Sequence, residues 1–180
     1  MFHPSTQQLI DYWRERCGSY ELPPRSVVDP TDFADLLPQV FILGRERAGV
    51  YPLRLAGGFV TDLHGRGLRH ENMLNLWSPF DRAPLQATLE RCRTRPAPFV
   101  VKAEIRADEV GPVPMEVLFA PLSTAAGGVD RFIGLYQPTA MLHRLQGRPA
   151  NALAIRSIEG QDHLEAPRLR LAALNGRLIA

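Results

Sequence analysis

The sequence predicts an α+β fold: a five-stranded antiparallel sheet with helices on one face, preceded by an N-terminal flanking helix. Three observations carry this. Strand-like and helix-like segments follow in the order β-β-α-α-α-β-β-β. Phe99 to Ala107 alternates plainly, with Phe99, Val101, Ala103 and Ile105 on one face and Lys102, Glu104 and Arg106 on the other. The late strands have connections short enough to make neighbours antiparallel, so the helices are left to cover a sheet face.

Ser5 to Cys17 reads as an amphipathic helix, with Ser5 as cap, Gln8 three residues on, and Leu9, Ile10, Trp13 and Cys17 along one face. Prolines from Leu22 to Asp35 impose an extended run, and a helical turn begins near Asp29 and reaches Leu37. Val40 to Arg45 and Tyr51 to Ala56 are the first two strands, the second with Tyr51, Leu53 and Leu55 on one face. Ser78 caps a helix through Cys92, with Pro79 at its first position and Leu85, Leu89 and Cys92 as its stripe. Pro114 to Leu122 is apolar at nearly every position, as a central strand requires, and Asp130 to Gln137 is the last strand. The expected strand order is 2-1-5-4-3.

Leu53 to Trp77 is the most informative stretch. Strand, a Gly57-Gly58 break, an apolar-spaced turn (Phe59, Val60, Leu63), Gly65-Arg66-Gly67 and a second short helix make a wall with a hollow behind it. Arg54 sits at the strand end beside the glycines. It either anchors the wall through backbone carbonyls or a carboxylate such as Asp62, or points outward into solvent.

The chain divides into a flanking helix (1–19), the main domain (20–142) and a C-terminal extension (143–180). In the extension Gln146 to Pro149 reads as a linker, Arg168 to Leu174 as a strand, and Asn175-Gly176 as a hairpin turn.

Composition bounds the function. With 45% hydrophobic and 22% charged residues, a soluble globular core is expected. No run approaches a membrane span, and the N-terminus lacks the basic-then-apolar order of a secretory signal, so cytoplasmic residence is expected. Cys17 and Cys92 form no metal or redox motif. Net charge is +2, and the acidic residues are interspersed with the arginines, so no basic block marks a nucleic-acid footprint. No G-x-S-x-G elbow and no phosphate-loop spacing occurs. His64 with Glu71 is the lone pair an enzyme could use, and two polar residues on adjacent short helices are more often solvated neighbours.

Several short motifs occur in one order: P-P-R-x-x-x-D-P (Pro23 to Pro30), L-L-P-x-V-F (Leu36 to Phe41), R-L-A-G (Arg54 to Gly57), H-G-R-x-L (His64 to Leu68) and L-x-L-W (Leu74 to Trp77). Pro121-Leu122 and the D-R-F-I-G-L run from Asp130 follow. Over residues 5 to 140 the chain resembles a bacterial single-domain PAS family common in alphaproteobacteria. The resemblance implies a PAS fold and a non-enzymatic sensory module acting on regulatory or output proteins, with flanking-helix dimerisation. Gly58, His64 and Arg69 stand where the family usually has a hydroxyl residue, an aromatic and a glycine.

Some PAS domains hold haem through a wall histidine, but neither His64 nor His70 lies in the Ser78 to Cys92 helix. Covalent flavin chemistry would need a cysteine between Phe59 and Trp77, and there is none. The residues therefore name no cofactor and no metal site. Phe41, Leu55, His64, Trp77, Phe119 and Tyr136 are the candidate lining of a small-ligand pocket, although the aromatics among them are by type mostly core, and sequence does not separate the two readings. Leu9, Ile10 and Trp13 are the expected homodimer interface, with packing on the chain's own sheet as the alternative. A scaffold domain with a filled core and no ligand is the second functional expectation.

Overall fold

The computed structural model describes residues 1–18, 22–124, 127–160, 173–174 and 177–178. Helix α1 (Pro4–Cys17) leads through an extended stretch to a 3-10 segment (Pro30–Gln39). Strands β1 (Val40–Gly44) and β2 (Leu53–Ala56) follow, then α2 (Gly58–His64), a 3-10 turn (Met73–Leu76) and α3 (Arg82–Thr94). Strands β3 (Phe99–Arg106), β4 (Val113–Ser123) and β5 (Val129–Pro138) come next, and β6 (Ala152–Gly160) after them.

The sheet is antiparallel in the order β2-β1-β5-β4-β3-β6. The order 2-1-5-4-3 is therefore as expected, and one strand more is present. β6 pairs along β3 from Ala152 opposite Arg106 to Gly160 opposite Phe99. β3, the last strand in the expected order, therefore has neighbours on both sides, while its alternation persists, with Lys102 and Glu104 half-buried and Arg106 exposed. β4 is buried at nearly every position because β5 and β3 flank it and both faces are covered.

Both faces carry helices, where one was expected. On the wall face, Val60, Leu63, Met73, Leu76, Leu85 and Leu89 pack on Phe41, Leu53, Val101, Val117 and Tyr136. On the other, Leu9, Ile10, Trp13, Phe33 and Leu36 pack on Val100, Leu118, Leu122, Ile133 and Leu135. A strand buried on one face only would leave Leu118, Ile133 and Leu135 in water; α1 covers them. Pro4 occupies the first turn, so the cap moves upstream of Ser5: His3 is the N-cap, and its Nδ1 accepts from the Ser5 amide at 3.2 Å.

Gln146 to Pro149, expected as a linker, is an exposed turn, and the residues on either side of it close the wall. Leu145, Ala150 and Leu153 are buried in the wall-side core. The Ala150 amide donates to the Leu63 carbonyl (2.7 Å) and the Ser78 amide to the Leu153 carbonyl (2.8 Å). The Ile155 amide donates to Asp81 Oδ2 at 3.1 Å. Beyond it, β7 (Ala173–Leu174) pairs antiparallel with β8 (Arg177–Leu178). The expected Asn175-Gly176 turn and most of the Arg168 to Leu174 strand lie outside the described residues.

Candidate functional site

The space behind the wall is occupied by rings. Phe41 meets Phe119 and Tyr136 edge-on at centroid distances of 5.5 and 5.4 Å, and Phe99 stacks on Phe119 at 4.9 Å. Such offset and edge-on pairs stabilise beyond the area they bury. Phe41 reaches them because Gly134 lies opposite it in the β1–β5 ladder. A Cβ at Gly134 would come within 2.0 Å of the ring. That close approach explains the glycine in the D-R-F-I-G-L run.

His64, at the C-terminal end of α2, completes the cluster. Its ring meets Tyr136 edge-on at 6.0 Å, and Tyr136 Oη lies 3.4 Å from His64 Nε2. Burial, aided by the nearby Arg66 charge, lowers the His64 pKa from 6.5 to about 4, against the opposing pull of the Ala150 backbone and Glu71. Burial likewise pushes the Tyr136 phenol up. Both groups are neutral at neutral pH, and their contact is a neutral hydrogen bond. Trp77 is fully buried beside the wall, and its indole N–H has no acceptor among the described residues.

Of the six candidate lining residues, Phe41, His64, Trp77, Phe119 and Tyr136 are buried on this side. Leu55 is not: it is 47% exposed. The β1–β2 register places Ile42 opposite Leu55 but Leu43 opposite Leu53, so Arg54 is an extra residue on β2. This bulge breaks the two-residue alternation, and Leu53 and Leu55 do not share a face. Arg54 makes its ion pair with Glu46 (3.0 Å), not with Asp62, and both partners are substantially exposed. It is a surface pair, not a wall anchor.

Glu71, the expected partner of His64, is engaged by Arg66 instead, and both its carboxylate oxygens accept from that guanidinium. Among the described residues no three His, Cys, Asp or Glu side chains are grouped to hold a metal. Leu9, Ile10 and Trp13 are buried against the chain's own sheet, which is the packing alternative; a dimer through them would require α1 to leave it.

Two polar clamps escaped the sequence reading. Arg45, just past β1, donates through Nε and Nη2 to Glu90 of α3, both at 2.8 Å, and Tyr51 Oη donates to Glu90 Oε1 at 2.5 Å. The bonds from Arg45 are the main cause that holds the Glu90 carboxyl down at about 2. On the opposite face the His3 amide and Lys102 both donate to the buried Glu116. Each clamp joins residues far apart in the chain, so no local spacing marks it. Two open clefts lie elsewhere, one of about 560 Å³ beside residues 24–28 and the β4–β5 hairpin and one of about 440 Å³ beside the N-terminus.

No helix among the described residues is long and apolar enough to cross a membrane. The chain matches no curated protein. Among solved structures it is similar to the dark structure of the blue-light photoreceptor Aureochrome1 LOV (13% identity, 63% of this chain and 84% of that one, TM-score 0.47). It is also similar to the Rhodobacter sphaeroides LOV protein (12%, 66% and 72%, 0.47) and to an RNA-binding light-oxygen-voltage receptor (19%, 60% and 32%, 0.41). A family model described as the PAS domain matches residues 1–137, which cover the flanking helix, the wall and the first five strands. The chain belongs to the PAS domain family.

Proposed function

We propose that this PAS domain is a cytoplasmic, non-enzymatic regulatory module that acts by contact with another protein or a second copy of itself. One observation carries the reading: the hollow behind the wall is occupied by the chain's own rings. Phe41, Trp77, Phe119 and Tyr136 are fully buried, and three of the four touch ring to ring or through Phe99. A domain filled this way exchanges information through its surface. Large apolar side chains stand out there, Phe80 at 93% exposure and Met141 at 73% among them. Glu71 and Glu90 are engaged in fixed pairs, by Arg66 and by Arg45.

The test is photo-crosslinking in the native host, with the crosslinking residue placed at Phe80, at Met141 and at Leu55 in the full chain. The expected result is one discrete adduct, to a second protein or a second copy, from at least one position and not from the others. Diffuse or absent adducts at all three overturn the reading.

A second reading, a small polar ligand under the wall, is favoured by the unpartnered Trp77 N–H. A buried donor without an acceptor costs about 1–3 kcal/mol, which one bound acceptor would recover.

A further inference from the structure

We propose that the cleft between residues 24–28 and the β4–β5 hairpin binds a small organic anion through a phosphate or carboxylate group. The cleft encloses about 560 Å³, within the range of small-ligand sites, and its lining includes Arg25, Ser26, Ser123, Thr124, Asp130 and Arg131. Its two walls are joined directly: the Ser123 amide donates to the Pro23 carbonyl at 3.0 Å, and Pro24 bridges to Ser123. The site is therefore formed before anything binds.

The charges are arranged for an anion. Gly44 lies opposite Arg131 in the β1–β5 ladder, and the Arg54 and Arg131 side chains converge over it. A Cβ at Gly44 would stand 2.7 Å from Arg54 Nε and 2.9 Å from Arg131 Nη1. Two like charges over one glycine repel unless each has a counter-charge. Arg54 has Glu46 at 3.0 Å. Among the described residues the counter-charge of Arg131 is a distant Asp130 Oδ2 at 3.8 Å, and its Nη1 donates to the Asp130 carbonyl at 3.3 Å. Arg25 has no ion pair among the described residues.

Two guanidinium forks with unused donors thus face one cleft. That fork geometry matches the oxygens of a phosphate or carboxylate. The Ser26 and Ser123 hydroxyls are further donors, whereas the Thr124 hydroxyl already donates to the Gly127 carbonyl at 3.1 Å. Among the described residues Asp130 is the one carboxylate in the lining, and with two arginines against it the balance stays positive. Pro24 and Val28 give the cleft an apolar side, so an anionic group on a compact organic body fits it better than a bare ion.

Binding here is independent of the regulatory reading, because it is measured directly. The experiment is isothermal titration calorimetry of the full chain with phenyl phosphate, benzoate and inorganic phosphate. Saturable one-site binding of phenyl phosphate or benzoate is expected, tighter than inorganic phosphate and weakened in about 0.5 M salt. Arg25→Gln and Arg131→Gln should each weaken it about tenfold or more, and Arg25→Lys less, since it keeps the charge but loses the fork. The order of phenyl phosphate and benzoate identifies the anionic group. Arg25 is exposed on a 3-10 turn, so its variants test the site even if Arg131→Gln unfolds. No saturable binding with any of the three probes, or the same affinity in Arg25→Gln, would overturn the proposal.

Discussion

The Trp13 indole N–H donates to the Pro121 carbonyl at 2.6 Å, tying the N-terminal helix to the central strand on the face opposite the wall. Trp13→Phe should cost about 1–3 kcal/mol, because the Pro121 carbonyl loses its partner in a buried setting. Trp13→Ala should cost about 3–5 kcal/mol, because a cavity is added. Urea denaturation of both variants checks the order; equal stability of Trp13→Phe and the parent would remove the hydrogen bond from the account.

Removing residues 1–19 uncovers Leu118, Ile133 and Leu135. The shortened chain should aggregate or self-associate, and light scattering against the full chain reads this out. A shortened chain that stays monodisperse, with an unchanged melting temperature, would mean that α1 is not needed to cover the sheet.

Two glycine substitutions should diverge. Gly134→Ala puts a methyl into the Phe41 ring and beside the Leu118 carbonyl, and should destabilise by about 1–3 kcal/mol or more. At Gly58, in α2, an added Cβ meets nothing within 4 Å. Gly58→Ala should stabilise by about 0.4–1 kcal/mol by restricting the unfolded chain. Thermal melts of the pair separate close approach from a general intolerance of change in the family motifs.

Acid should loosen the wall before it breaks the Arg45–Glu90 clamp. His64 titrates at about 4 in the fold against 6.5 ordinarily. Between those values the unfolded chain binds a proton that the folded chain does not, so stability is full above 6.5 and falls as pH drops toward 4. The total loss is about 3 kcal/mol at about 1.4 kcal/mol per unit. Glu90, lowered to about 2 from 4.5, adds its own loss only below 4.5. His64→Phe should flatten the stability profile between 6.5 and 4.5, read by urea unfolding across that window. Parallel profiles for the two proteins would contradict a buried neutral histidine.

The wall and strand order were legible because they rest on local patterns. The alternation in Phe99 to Ala107 marks a strand with two unlike faces, the apolar run before Leu122 marks one buried on both, and the motifs around Gly57 and Trp77 mark the wall. Leu55 was misplaced because a single-residue bulge at Arg54 resets the alternation, and only the β1 partner reveals it. Strand β6 was missed because Gln146 to Pro149 carries turn residues. Those residues make a real turn, with Gln146 and Gly147 at positive φ, but the turn leads back onto β3. The Glu90 and Glu116 clamps depend on partners about 14 to 113 residues away, beyond any periodicity.

The interior behind the wall belongs to the chain's own side chains, Phe41, Phe119 and Tyr136 among them. Native mass spectrometry of the full chain purified from its host, compared with the denatured protein, tests it most directly. The expected species is the 20.1 kDa polypeptide, or a multiple of it, with no small-molecule adduct that survives Arg25→Gln. A stoichiometric adduct that persists in Arg25→Gln and is released by denaturation, accompanied by loss in Trp77→Phe, would contradict it and place a ligand against the Trp77 indole.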